Sequence, residues 1–443
     1  MATETQSTVT KVLPSNLNKF VIASNEGGGK QVDLKSRGFV KLEYSESILH
    51  DTPHCMVEFV DTGVTSGLDD KNVMEGLPLV GQEKATFKIT DNNDVQLGDI
   101  DMYVNKITPV GEDTRKRVVF VDLVSREYIL NEKIRLRSRF DGRISEHIKT
   151  ILTEKLPDGL GTKKKLNIED VSNNFNFIPN NKKSYYTINW LSKKAISQEN
   201  QKKGKSAGYL FFETSEGFHF KSIDGLCSQK PKKRIIFNET SELPEGYDIK
   251  ALDYSKDNLV DVQKKLKMGS FSNRVILFDP FKCRYEVITP NAEEYKKQLK
   301  LAGKKLPKLN DEFNVPGKEK EFSRTTYYLL DTGTLPTGNT DQQIEKSEEE
   351  NFEYRDILNQ SIMRYNQLFS FEAQITIPGD FSLHAGDAIH LDVPLLEVDK
   401  TKEKSKMDGG LYIISDLTHL VTPSETVTRL NLVRDSTGKK RQN

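Results

Sequence analysis

The sequence predicts a mainly β chain interrupted by mixed α/β insertions. Period-two runs dominate both ends, the period shifts to helical spacing in the middle, and Gly and Asp/Asn turns separate the runs. At the N-terminal end, residues 86–90 set Phe87 and Ile89 on one face, 102–107 follow, and 118–124 place Val118, Phe120 and Val124 on one side. At the C-terminal end Phe371, Ala373, Ile375 and Ile377 alternate with Glu372, Gln374 and Thr376, and 411–420 and 427–433 supply two more strands. Each end reads as a short strand leading through a turn into two long ones. The expectation is two similar antiparallel β modules.

Between them the spacing changes. Ser145 is the expected N-cap of a helix presenting Ile148, Ile151 and Leu152, and a second helix is expected near 185–196. Residues 208–212 and 217–223 flank Glu213-Thr214-Ser215-Glu216 as a hairpin. Further helices are expected over 258–268, stopped by Gly269, over 291–303, opened by Asn291 with Glu294, and over 353–368. A strand is expected at 274–278, ended by Pro280. Residues 1–30 read as loosely ordered, and 304–320 and 332–350 as polar linkers.

Composition bounds function. The 443 residues suggest roughly three domains. Lys+Arg and Asp+Glu are both 65, so the chain is neutral and is not an overall polyanion binder. Mean hydropathy is −0.59, yet 22 Phe and 15 Tyr can build cores. No stretch nears 18 consecutive apolar residues, and the polar start shows no secretory signal, so neither membrane insertion nor secretion by a leader is expected. Cys55, Cys227 and Cys283 are too scattered for a disulfide framework or a CxxC metal site.

Motifs for chemistry fail on context. Gly204-Lys205-Ser206-Ala207-Gly208 matches G-x-S-x-G, but a Lys-rich loop precedes Ser206 and a strand follows, the reverse of a nucleophile elbow. Read as the end of a phosphate-binding loop, it puts Glu199 where the first Gly belongs, and Gly29-Lys30 is followed by Gln31. Asp91-Asn92-Asn93-Asp94 begins like a calcium loop, but Val95 and Gln96 break it. His50, His54 and Cys55 are close, but Pro53 argues against the helix that a metal pair would need. His384, His390 and His419 read as strand-surface or turn residues, and the Lys clusters at 163–165, 202–205, 232–234 and 439–441 as solvated loops. No catalytic, cofactor-binding or metal-ligating residue is assigned, and no cofactor is expected.

The order of segments nevertheless carries a resemblance. Four stretches matter: 129–132 with 138–145; Ile188-Asn189-Trp190-Leu191 with 208–214 and 217–218; 268–269 with 276–280; and 375–380 through Leu383-His384-Ala385-Gly386-Asp387, 410–415 and His419 to 430–436. In these the chain resembles the central baseplate hub protein of contractile-tailed (myovirus-type) bacteriophages, from about 35 to 436. The resemblance implies two tube-like antiparallel β-barrel modules and two smaller mixed α/β domains. Their expected bounds are 1–127 (flexible N-terminus and first tube-like module), 128–207 (mixed α/β), 208–240 with 355–443 (second tube-like module) and 241–354 (inserted α/β). It also implies a non-enzymatic virion protein of the tail baseplate: a homotrimer joining a three-fold spike to a six-fold tail tube around a channel for DNA. Implied partners are the spike (tail lysozyme or needle) protein, tube initiator or tube proteins, and the tape-measure protein, with DNA only in transit. With no β-helix repeat before Asn443, the spike is expected on a separate polypeptide. The alternatives are the hub of a related contractile secretion or toxin-delivery machine and, from the enzyme class, a hydrolase using Ser206 or a carboxylate pair.

Overall fold

The computed structural model describes residues 12–439, apart from 26–28, 37, 64–70, 114–115, 199–206, 239–241, 257–260, 281, 290–298, 314–321, 331–337, 352–353, 395–403 and 406. Seven strands form the first part of the chain: β1 (Asn16–Ala23), β2 (Gln31–Asp33), β3 (Phe39–Ser47), β4 (His54–Asp61), β5 (Lys84–Thr90), β6 (Gln96–Asp113) and β7 (Lys116–Val124). They pair in the order β3-β4-β7-β6-β5-β1-β2. Alternate residues point to one face, so Phe20, Phe59, Phe87, Val121 and Leu123 meet in one core. The strand β1 corrects the expectation of loose order over 16–23, while 1–11 and 26–28 lie outside the described residues. Phe20 and Ile22 are fully buried, and β1 pairs with β5 from Asn16↔Thr90 to Ala23↔Lys84.

A mixed region follows. β8 (Leu166–Ile168), β9 (Tyr209–Thr214) and β10 (Gly217–Ser222) make a three-stranded sheet, β8 parallel to β10. The helices Arg126–Lys133, Ile144–Thr153 and Ser184–Ser192 belong to the same region, and Ile148, Ile188, Phe211 and Phe218 share its core. Ser145 is not the N-cap. Arg143 takes that position, because Gly142 is pinned by bonds from its N–H to Asn176 Oδ1 and from Phe175 N–H to its carbonyl, which holds residue 143 extended.

The remaining strands are β11 (Lys233–Ile236), β12 (Ile249–Lys250), β13 (Asp253–Ser255), β14 (Arg274–Asp279), β15 (Arg284–Ile288), β16 (Thr325–Leu329), β17 (Phe371–Pro378), β18 (Ala388–Asp392), β19 (Gly410–Val421) and β20 (Thr426–Arg434). β17 to β20, with β11 to β13, form the second half of the large sheet around Ile375, Leu417, Leu430 and Leu432. β14 to β16 form a separate sheet in the insert, in the order β15-β14-β16. Helix Val262–Met268 ends at Gly269 in the left-handed region, as the sequence predicts, but Asp261 is its N-cap rather than part of it; the expected residues 258–260 lie outside the described ones. The helix start expected at Asn291 also lies outside them, whereas 299–303, expected to complete that helix, are not helical: Ala302 and Gly303 give their N–H groups to Asp435 and Ser436 instead. The expected linker 332–350 contains a helix, Thr340–Asn351, and helix Tyr354–Leu368 follows it.

The mainly β architecture with mixed insertions is the observed one. Its two β halves are fused edge to edge: β3 pairs with β19 from Ser47↔Asp416 to Leu42↔Val421, giving one 14-stranded sheet. Among the described residues no ladder closes either half into a barrel. The halves also share a core, since Phe381 and Val421 of the second pack into the first.

Candidate functional site

The seam between the halves is where side chains from distant parts of the chain converge. Glu46, at the end of β3, is buried and accepts four groups. Tyr44 Oη donates to Oε1 at 3.1 Å and Ser215 N–H to Oε1 at 2.7 Å. Ala385 N–H donates to Oε2 at 3.1 Å, and His384 Nδ1 lies 3.4 Å from the same oxygen. One carboxylate therefore ties the first sheet half, the β9–β10 turn and the loop before β18. Burial pushes the Glu46 carboxyl up, but the bond and charge of His384 and the two backbone N–H groups outweigh it and hold it down at about 2. Burial opposes protonation of His384, yet the facing Glu46 raises it above its ordinary value. Gly386 completes the turn with φ +85; an added Cβ there would stand 2.6 Å from Phe212 Cζ, so the turn against the hairpin needs glycine.

Around this carboxylate lies an aromatic layer. His419 stacks on Tyr44 with ring centroids 6.4 Å apart, meets Phe381 edge-on at 4.8 Å and bonds Thr428 Oγ1 through Nδ1 at 2.9 Å. His219 stacks on Phe212 at 5.0 Å and bonds Thr214 Oγ1 at 2.8 Å. Burial pushes both imidazoles down to about 4, so both are neutral at pH 7. All three histidines expected on a strand surface or in a turn are buried: His384 is in the turn before β18, against Glu46 of the first half, His419 is on β19 against Tyr44, and His390 is on β18, 3.4 Å from Asp392.

Ser215, His384 and Glu46 are the residue types of a nucleophilic triad, and their wiring decides against one. Ser215 Oγ and Glu46 both approach Nδ1, at 3.3 and 3.4 Å, while Nε2 faces Glu216 at 3.7 Å. A general base needs its acid on one nitrogen and its nucleophile on the other. Sequence spacing has no way to show this cluster, since Ser215 stands 169 residues from both Glu46 and His384.

Two further buried charge clusters hold the mixed region. In the first, Arg364 Nε donates to Asp224 Oδ1 at 2.8 Å, Nη1 to Asp435 Oδ2 at 2.6 Å and Nη2 to the Lys300 carbonyl at 2.8 Å. Burial disfavours its charge, and the two carboxylates raise its pKa regardless. In the second, Lys164 Nζ bridges Glu127 Oε2 at 2.8 Å and Glu213 Oε1 at 2.5 Å beside a cleft of about 580 Å³. Burial pushes the Glu213 carboxyl up to about 7 against the opposing Lys164. The two carboxylates share one partly exposed ammonium at the wall of this cleft.

The other sequence candidates resolve as follows. Ser206, Lys205 and Gly204 lie outside the described residues. Asp91 folds its loop as a turn, Oδ1 accepting Asn93 N–H at 2.8 Å and Val95 N–H at 2.9 Å, while Oδ2 accepts Phe381 N–H at 3.0 Å from the other half. His54 is on β4, 3.7 Å from Asp122, and Cys55 is buried. Among the described residues no group of three or more His, Cys, Asp and Glu is arranged to hold a metal ion. Members of three Lys clusters are ion-paired rather than free in loops: Lys164 as above, Lys232 to Asp387 at 2.9 Å, and Lys439 to Asp392. No helix among the described residues is long and apolar enough to cross a membrane.

No family model matches the sequence, and no curated protein matches it. Solved structures do match. The 43 kDa tail protein of prophage MuSo2 from Shewanella oneidensis superposes with TM-score 0.50 at 11% identity, covering 94% of this chain and 98% of that one. A tail protein from Neisseria meningitidis gives TM-score 0.50 at 8% identity, covering 94% and 97%. The chain has the fold of these two tail proteins along nearly its whole length, in keeping with the resemblance to the baseplate hub that its segments carry.

Proposed function

We propose that this chain is a structural virion protein of a phage tail baseplate, acting as its central hub. The observation that carries the reading is the fusion of two antiparallel sheet halves through β3 and β19 within a tail-protein fold. Two tube-like modules per chain let a trimer present six modules around one axis. A six-fold tail tube then stacks on one side and a three-fold spike docks on the other. Such a ring closes by heterologous contacts between copies. The seam suits a load-bearing part, because Glu46, Asp91 and Phe381 lock the halves to each other rather than leaving a hinge. The wiring of Ser215, His384 and Glu46 favours a non-enzymatic role. Partners on this reading are the spike, tube and tape-measure proteins, with DNA passing through the opening.

Light-scattering mass after size exclusion, at two concentrations, tests the reading. The expected mass is about three times 50.4 kDa. A monomer at both concentrations, also when co-expressed with the spike, contradicts it.

A further inference from the structure

The inserted sheet carries a surface that the seam does not use. In its register Phe278 lies opposite Tyr285 and Leu329, and Ile276 opposite Val287 and Tyr327. Directly paired residues point to the same face, so these six apolar side chains form one patch across three strands. The opposite face buries Val275 and Leu277. Exposure of the patch is high: Tyr327 77%, Tyr285 71%, Leu329 65%, Phe278 44% and Val287 42%. Of the large apolar side chains exposed among the described residues, no other group shares one face of one sheet in this way.

We propose that this face is a self-association surface and that its occupant is a second copy of this chain. The proposal rests on the hub reading above, which requires contacts between copies. At roughly 200 Å² for each aromatic side chain and less for Leu and Val, the exposed patch offers about 500 Å² of apolar surface. That is at the upper end of what monomers leave uncovered, roughly 300–600 Å². It is also more than half of one partner's share of a stable interface, about 800 Å². Composition points the same way. Along the paired rows the only charged side chain on this face is Arg274, at one end, with Thr325 opposite. Permanent contacts between identical chains are more apolar than transient ones.

The test compares the full chain with two variants by light-scattering mass over a concentration series. The first variant combines Tyr327→Asp with Leu329→Lys; the second is Tyr285→Ser alone. Circular dichroism verifies that each is folded. The expected result is a wild-type trimer and folded variants whose association is weakened at least a hundredfold for the double and about tenfold for Tyr285→Ser. Folded variants that remain trimers overturn the surface and leave the hub reading standing. A wild-type dimer that the variants dissociate keeps the surface and removes the ring. A wild-type monomer throughout, also when co-expressed with the spike, removes both.

Discussion

Replacing Arg364 with Met should lower the unfolding free energy by about 3–5 kcal/mol, the largest effect expected of any single substitution here. Asp224 and Asp435 are buried, and the guanidinium satisfies an oxygen of each. Methionine matches the length of the Arg stem but removes the guanidinium that bridges two buried carboxylates. The loss spreads widely, since the cluster joins helix Tyr354–Leu368, helix Ile223–Cys227 and the end of β20. It also reaches residues 300–302, where Ala302 N–H donates to Asp435 Oδ1 at 2.9 Å. Urea midpoints of the two proteins measure it. A loss under about 1 kcal/mol would mean the cluster is no better than a surface pair.

Replacing Glu46 with Gln should change how stability depends on pH. A carboxyl titrating at 4.5 when unfolded and about 2 when folded contributes roughly 3 kcal/mol. Because its folded pKa is depressed, that contribution is present above about pH 4.5 and is lost as pH falls towards 2. His384 has the opposite sign. Its folded pKa is raised, so its contribution is full below about pH 6.5 and is lost as pH rises through the folded value. The pair therefore stabilises the seam most between these limits. Denaturant midpoints measured from about pH 7 to pH 3 should fall steeply for the wild type at the acid end and much less for Glu46→Gln. Parallel acid limbs would show that Glu46 does not hold the halves together.

Much of the sheet is legible in the sequence because one face is buried and the other is not. Phe371, Ala373, Ile375 and Ile377 are buried at alternate positions, so their period survives as a pattern. β1 escapes such reading. Its first four residues are exposed or half-buried and only Phe20 and Ile22 are fully buried, which two positions cannot distinguish from chance. Helix Thr340–Asn351 holds one apolar residue, Ile344, so no stripe reveals it. The seam is hidden for a different reason. Its partners sit on three elements and meet only through tertiary pairing of β3 with β19 and packing of the hairpin turn. The fold could be reached from segment order, whereas the residues that lock it could not.

The central claim is that one chain supplies two equivalent modules to a ring. End-on electron micrographs of the purified, assembled protein test it most directly. The account predicts a particle with true three-fold symmetry, six lobes and a central opening. Three lobes only, or a closed particle without an opening, would contradict it.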